Sequence, residues 1–266
     1  MRPGAAGSST LPRKPRGVQG KTVIVLTCEH GGNKIPVAYR SLFSGADDVL
    51  QSHRGWDPGA LAVAEAMAER LGAKLFSSKT SRLLVELNRS LGHGSLFSSY
   101  TASLPEQQRQ QIVDRYWRPY REEVTAHIDE LVNAGFRVIH LSIHSFTPVW
   151  EGIARRTHIG LLYDPRRSNE RSFCNAWKAE LRQLCAEYTV HSNQPYKGIA
   201  DGFTTWLRRH VAAIKGCEGT YAGIEVEINQ ALIHPATRSR IDAMADLLCH
   251  WPLQQLTLAN TSRGQK

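Results

Sequence analysis

Two histidines stand where rigid backbone gives way to polar sequence. The run TVIVLT at 22–27 leads through Cys28-Glu29 to His30-Gly31-Gly32, and FRVIHLSI at 136–143 leads directly to His144. A neutral imidazole at a strand end is a good zinc donor, and adjacent glycines leave room for a ligand; the alternative for each is a hydrogen-bonded histidine near the surface. Spacing is silent here, because 114 positions separate the two and no HExxH motif is present. Glu225 and Glu227 lie two apart in YAGIEVEI, so strand alternation turns both carboxylates to one face. On a core strand they are costly unless paired, hydrated or metal-linked, which suits general-base chemistry; on an edge strand they would simply face solvent. Asn88-Arg89, after RLLVEL, offers an amide and a planar donor fork matched to a carboxylate, or else a surface ion pair. Ser145 beside His144 does not indicate a serine hydrolase, since no G-x-S-x-G elbow is present and neighbouring strand side chains point apart.

These residues must be positioned by alternating elements. Residues 22–27, 73–77, 82–87, 136–143, 158–163 and 221–228 read as strands. Asp57-Pro58 opens a helix with Leu61, Ala64, Met67 and Leu71 at helical spacing and Gly72 as its stop. Ser103-x-x-Glu106 has capping-box spacing and starts a helical stretch to about Ala134, which Pro119 should kink or divide. Further helices are expected near 169–187, up to 213, and 237–250, with a Gly-containing loop over 193–203. Strands interleaved with helices imply a mixed, mostly parallel sheet covered on both faces, with the site outside the carboxyl ends of its strands.

With 266 residues, 41% hydrophobic and 21% charged, the chain can bury the core of one large α/β domain. No apolar run reaches the roughly 18–20 residues of a membrane span, and no signal-like stretch opens the sequence. Five scattered cysteines with no CxxC pair exclude a disulfide framework and a cysteine zinc knuckle, and a cytoplasmic protein is expected. The net charge of +9 is concentrated: Arg2, Arg13, Lys14, Arg16 and Lys21 contribute five charges within Gly-, Pro- and Ser-rich sequence that reads as a mobile tail. Arg155-Arg156, Arg166-Arg167 and Arg208-Arg209 would serve a basic binding module, but they lack the interleaved aromatics of a strand-binding platform, and nucleic acid is not the expected partner.

Five ordered motifs add a resemblance. Cys28-Glu29-His30-Gly31-Gly32-Asn33-x-Ile35-Pro36, Trp56-Asp57-x-Gly59-Ala60, Ser81-Arg82-Leu83-x-Val85-x-Leu87-Asn88-Arg89, His144-Ser145-Phe146 and Glu225-x-Glu227 together resemble the N-formylglutamate amidohydrolase family over roughly residues 22–250. The resemblance implies a single three-layer α/β/α domain of the zinc carboxypeptidase-like kind. Its implied activity is removal of a formyl or small acyl group from an acidic amino acid by metal-activated water, with one zinc ion per chain and a small anionic N-acyl amino acid as substrate. Another N-acyl amino acid or a peptide is the alternative substrate. By the same resemblance His30 and His144 are zinc ligands, Glu227 activates water and Arg82 polarises the scissile carbonyl. Asn88 and Arg89 hold the substrate carboxylate, and Ser145, Lys197 and Glu225 complete the substrate side. The wider group takes its next ligand from a His-x-x-Glu pair, but the third residue after His30 is Asn33, a poor zinc ligand. Asp57 is the substitute and Glu29 the second choice, while Asp57 also reads as a helix N-cap. The implied organisation is a basic tail over 1–20, a catalytic domain over 21–255 and a C-terminal tail over 256–266.

Overall fold

The computed structural model describes residues 20–234 and 236–261. Residues 1–19 of the expected basic tail lie outside that range. The chain opens with β1 (Thr22–Cys28), α1 (Asp47–Gln51), α2 (Ala60–Leu71) and β2 (Lys74–Ser77), then α3 (Glu106–Ile112) and α4 (Arg118–Asn133). Next come β3 (Arg137–Phe146), β4 (Val149–Trp150), β5 (Ile153–Ala154), β6 (Ile159–Leu162) and α5 (Ser168–Leu184). Finally β7 (Val190–Ser192) and α6 (Phe203–Ala212) lead to β8 (Tyr221–Asn229), α7 (Gln230–Ile233) and α8 (Arg238–Thr261).

Six strands form one sheet in the order β2-β1-β3-β8-β6-β7. The first four are mutually parallel, whereas β6 runs antiparallel to β8 and carries β7 parallel to itself. Strands β4 and β5 form a separate antiparallel hairpin. Helices cover both faces, giving the three-layer α/β architecture that the interleaved sequence predicts.

The two faces of the central strands differ in chemistry. On one, Leu26 of β1, Leu141 and Ile143 of β3, and Ile224, Val226 and Ile228 of β8 pack against α2, α5 and α8 through Val63, Met67, Trp177 and Leu248. On the other, Val25, Val138 and Tyr221 meet Val124 and Ile128 of α4 and Phe203 and Leu207 of α6. Towards the carboxyl ends this second face turns polar: Thr27, Glu29, His140, Ser142, His144 and Glu227 are buried there, and Glu225 is half-buried. Strand alternation thus sorts a structural face from a chemical one.

Several local expectations are corrected. Residues 82–87 form turns: Leu84 N–H donates to the Ser81 carbonyl at 3.0 Å and Arg89 N–H to the Glu86 carbonyl at 3.2 Å. The apolar run that reads as a strand instead buries Leu83, Leu84, Val85 and Leu87 in a small cluster with Phe43, Ile112 and Trp117. No capping box forms at Ser103, because Pro105 is the N-cap of α3 and no side chain caps it. A five-residue π turn, Val113–Trp117, separates α3 from α4 and sets Pro119 in the first turn of α4, where the missing N–H has no helical partner to lose. Strand β3 runs on to Phe146, so His144 lies inside it rather than beyond it. Helix α8 reaches Thr261, well past the expected end near 250 and into the segment read as a tail.

Candidate active site

Strand register assembles the site. In the β3–β8 pairing His144 sits beside Glu227 and Ser142 beside Glu225, all on the polar face. His30 follows the end of β1 in a loop closed against residues 78–79. A Cβ on Gly32 would meet the Lys79 carbonyl oxygen at 2.7 Å, so only glycine permits that approach. Asp57 is tied to the same loop, its N–H donating to the His30 carbonyl at 2.9 Å.

The three side chains converge. Asp57 Oδ2 lies 3.2 Å from His30 Nδ1 and 2.8 Å from His144 Nδ1, and one donor atom from each residue falls within 4.8 Å of the others. Each imidazole is braced on its far nitrogen by a buried carboxylate: Glu86 contacts His30 Nε2, and Glu29 lies 3.3 Å from His144 Nε2. Ser142 Oγ is 2.9 Å from that same His144 nitrogen. Carboxylate–histidine pairs of this kind orient metal-ligating imidazoles and raise their basicity. Arg82 joins the group, Nη2 bonding Glu86 at 2.6 Å and Nη1 reaching Asp57 Oδ1 at 3.3 Å. The carboxylates of Glu29, Asp57 and Glu86 outnumber the one guanidinium by two, the charge of a divalent cation. His30, Asp57 and His144 are therefore a possible metal site whose donors fit such an ion. Burial alone would raise the three carboxyls, but His144 on Glu29, His30 and His144 on Asp57, and Arg82 and His30 on Glu86 hold all three well below the usual range.

Glu227 stands apart. It is buried, its Oε2 has no hydrogen-bond partner, and burial pushes its carboxyl up to about 7. Glu225 is held by Thr204 Oγ1 at 3.1 Å and Asn88 Nδ2 at 3.5 Å. The edge-strand reading of the pair fails, since β8 lies between β3 and β6. A cavity of about 430 Å³ opens over this arrangement, lined by His30, Asp57, Arg82, Asn88, Arg89, His144, Ser145, Glu225 and Glu227 together with Tyr196, Lys197, Ala200 and Asp201. The expected ligands His30, Asp57 and His144, the expected catalytic pair Glu227 and Arg82, and Asn88, Arg89, Ser145, Lys197 and Glu225 all line this one pocket, whereas Glu29 and Asn33 do not.

The sequence profile of the N-formylglutamate amidohydrolase family matches residues 22–234. The chain belongs to that family. It is accordingly an amidohydrolase. A crystal structure of N-formylglutamate amidohydrolase from Ralstonia eutropha JMP134 is 21% identical, with 94% of this chain and 96% of that one covered and a TM-score of 0.61, and it shares the fold. A gene product of Agrobacterium tumefaciens is 32% identical over 90% of each chain, with a TM-score of 0.73. No curated protein matches the sequence.

Within this amidohydrolase the structure separates roles that the sequence leaves open. The Asp57 carboxylate caps no helix: α2 has Gly59 as its N-cap with no side-chain bond. Glu29 stands behind His144 and also accepts from Tyr120 Oη at 3.1 Å, while Asn33 donates to the Leu50 carbonyl at 3.1 Å, away from the histidines. Ser145 Oγ donates to the Pro58 carbonyl at 2.9 Å, anchoring the segment that carries Asp57. Asn88 Oδ1 accepts from Phe203 N–H at 2.7 Å at the start of α6, and Arg89 Nη1 donates to the Asp201 carbonyl. Glu86 and Tyr120 escape the sequence reading. The one signal for Glu86 was a charge embedded in the apolar run RLLVEL, masked by reading that run as a strand. Arg208, half of a basic doublet, is buried against Glu170 at 2.9 Å, and Arg166 and Arg167 bond Asp164 and Glu170. Arg166, Arg167 and Arg208 are thus committed to carboxylates.

Proposed function

We propose that this amidohydrolase holds one zinc ion on His30, Asp57 and His144 and removes a formyl or small acyl group from the amino group of an acidic amino acid such as N-formylglutamate. The observation that carries the reading is the convergence of two braced imidazoles and a carboxylate beside an unpartnered buried glutamate. Zinc, when bound, supplies Lewis acidity toward water and the scissile carbonyl.

The chain's own groups do the rest. Glu227 accepts a proton from the attacking water and returns one to the departing amine nitrogen, so that amide and water become carboxylic acid and amine. Its carboxyl near 7 is suited to both transfers. Arg82, fixed by Asp57 and Glu86, places positive charge at the wall of the cavity where the carbonyl oxygen becomes negative. Arg89 uses one nitrogen on the Asp201 carbonyl, which aims the remaining fork, with the Asn88 amide beside it, at a substrate carboxylate. Ser145, Lys197 and Glu225 complete the lining. A cytoplasmic location belongs to the same reading, supported by five unpaired cysteines. Among the described residues no helix is long and apolar enough to cross a membrane.

The test is metal analysis of the purified protein together with turnover of N-formyl and N-acetyl derivatives of glutamate, glutamine and leucine. One zinc per chain and fastest release of formate from N-formylglutamate are expected. A zinc-loaded protein that cleaves none of them would overturn the proposal.

A further inference from the structure

The 193–202 loop supplies the exposed side of the pocket, and its Tyr196 has no part in the chemistry above. The β4–β5 hairpin leaves Val149, Trp150 and Ile153 exposed, and the 193–202 loop brings Tyr196 and Lys197 into the lining of the cavity. They meet through Arg155, whose guanidinium carbon lies 5.1 Å from the Trp150 ring centre, 5.5 Å from that of Phe146 and 5.4 Å from that of Tyr196. Arg155 Nη1 donates to Tyr196 Oη at 3.2 Å. Stacking among aromatic rings fixes a guanidinium in direction as well as place.

Two consequences follow for the phenol. Its oxygen already accepts from a cation, so its own O–H is free to donate and is polarised by the charge behind it. Among the described residues Arg155 and Lys197 have no carboxylate partner, and the Lys197 ammonium has no hydrogen-bond partner. The exposed side of the lining therefore carries one ammonium, Lys197, with no side-chain partner among the described residues, and one hydroxyl donor, Tyr196, backed by Arg155, apart from the more buried Asn88-Arg89 pair.

We propose that Tyr196 contacts the substrate, donating its hydroxyl proton to an anionic group at the outer end of the molecule beside Lys197, and that Arg155 acts through Tyr196 as a positioning residue. The inference rests on the amidohydrolase reading of the same pocket and adds to it the group that reads the far end of the substrate.

Kinetics on the zinc-loaded enzyme test it, with N-formylglutamate and N-formylglutamine as substrates. Tyr196→Phe removes only the hydroxyl; KM for N-formylglutamate is expected to rise about tenfold with kcat within about twofold, and KM for N-formylglutamine to stay within about twofold. Arg155→Met should reproduce that pattern, and the double variant should be no worse than the worse single one, because both changes remove the same contact. Arg155→Lys, which keeps charge but not the planar fork, should recover only part of the loss. Additive losses would show that Arg155 acts independently of Tyr196. Unchanged KM in Tyr196→Phe, with the melting temperature unaltered, would overturn the assignment of Tyr196. If the unsubstituted enzyme released formate from neither substrate, the parent proposal would fall instead, so the two failures are distinguishable.

Discussion

Asp57 is where one residue had two rival explanations, and the geometry separates them by consequence. Its carboxylate faces two imidazoles and a guanidinium and touches no helix N–H. Asp57→Asn should therefore cut zinc content sharply while leaving the far-ultraviolet helix signal intact, which metal analysis and circular dichroism measure together. Glu227 and Glu225 divide similarly. Glu227→Gln should lose about 10²–10⁴-fold in kcat with zinc retained, and Glu225→Gln should lose less, because its carboxylate is engaged by Thr204 and Asn88. A base must be ionised to accept a proton, and burial raises this one to about 7, so kcat/KM should fall as pH drops through neutrality. Glu227→Gln should erase that acid limb. Arg89→Lys should cost on the order of 2–5 kcal/mol of transition-state stabilisation, since a point charge cannot reproduce a fork, and a retained preference for N-formylglutamate over its α-carboxamide would contradict the role. At this scale the sequence was legible at His30, His144, Glu225 and Glu227, which end or interrupt apolar strands, but it passed over His140 and Ser142 within β3. It was mute on which partner each would find, because Asp57 and His144 meet only through folding.

Elements explain both the successes and the misses. Apolar runs located β1, β3 and β8, which are covered on both faces, and helical spacing located α2, which packs one stripe against the core. It failed at 82–87, where an all-apolar run buries itself through turns, and it passed over β7, only three residues long. The antiparallel β6 has its own constraint. A Cβ on Gly160 would stand 2.0 Å from the Gln194 carbonyl oxygen and 3.3 Å from Glu227 Cβ, so backbone of the pocket loop lies directly on that strand. Gly160→Ala should lower stability by about 1–3 kcal/mol through overpacking and displace the loop carrying Tyr196 and Lys197. Chemical denaturation reads the first effect and a raised KM the second; an alanine enzyme unchanged in both would refute the contact.

For the molecule as a whole, the buried polar face makes stability depend on pH through a histidine outside the catalytic group. His140 bonds Thr27 Oγ1 at 2.8 Å and Tyr221 Oη at 2.7 Å, and burial pushes it down to about 4. Because the unfolded chain takes up this proton near 6.5, its contribution is full above that pH and is lost as pH falls toward 4. The loss amounts to about 3 kcal/mol. Denaturation at pH 7 and pH 5 should show the fall, and His140→Gln should flatten it. The sorting of the central sheet into two chemistries also predicts how the protein tolerates change. Saturation mutagenesis along β3 and β8, scored separately for cellular abundance and for turnover, should yield two interleaved sets with a period of two residues. Positions 141, 143, 224, 226 and 228 should lower both scores together, whereas 144 and 227 should lose turnover while abundance persists. Burial alone would predict no such alternation, since both sets are buried alike.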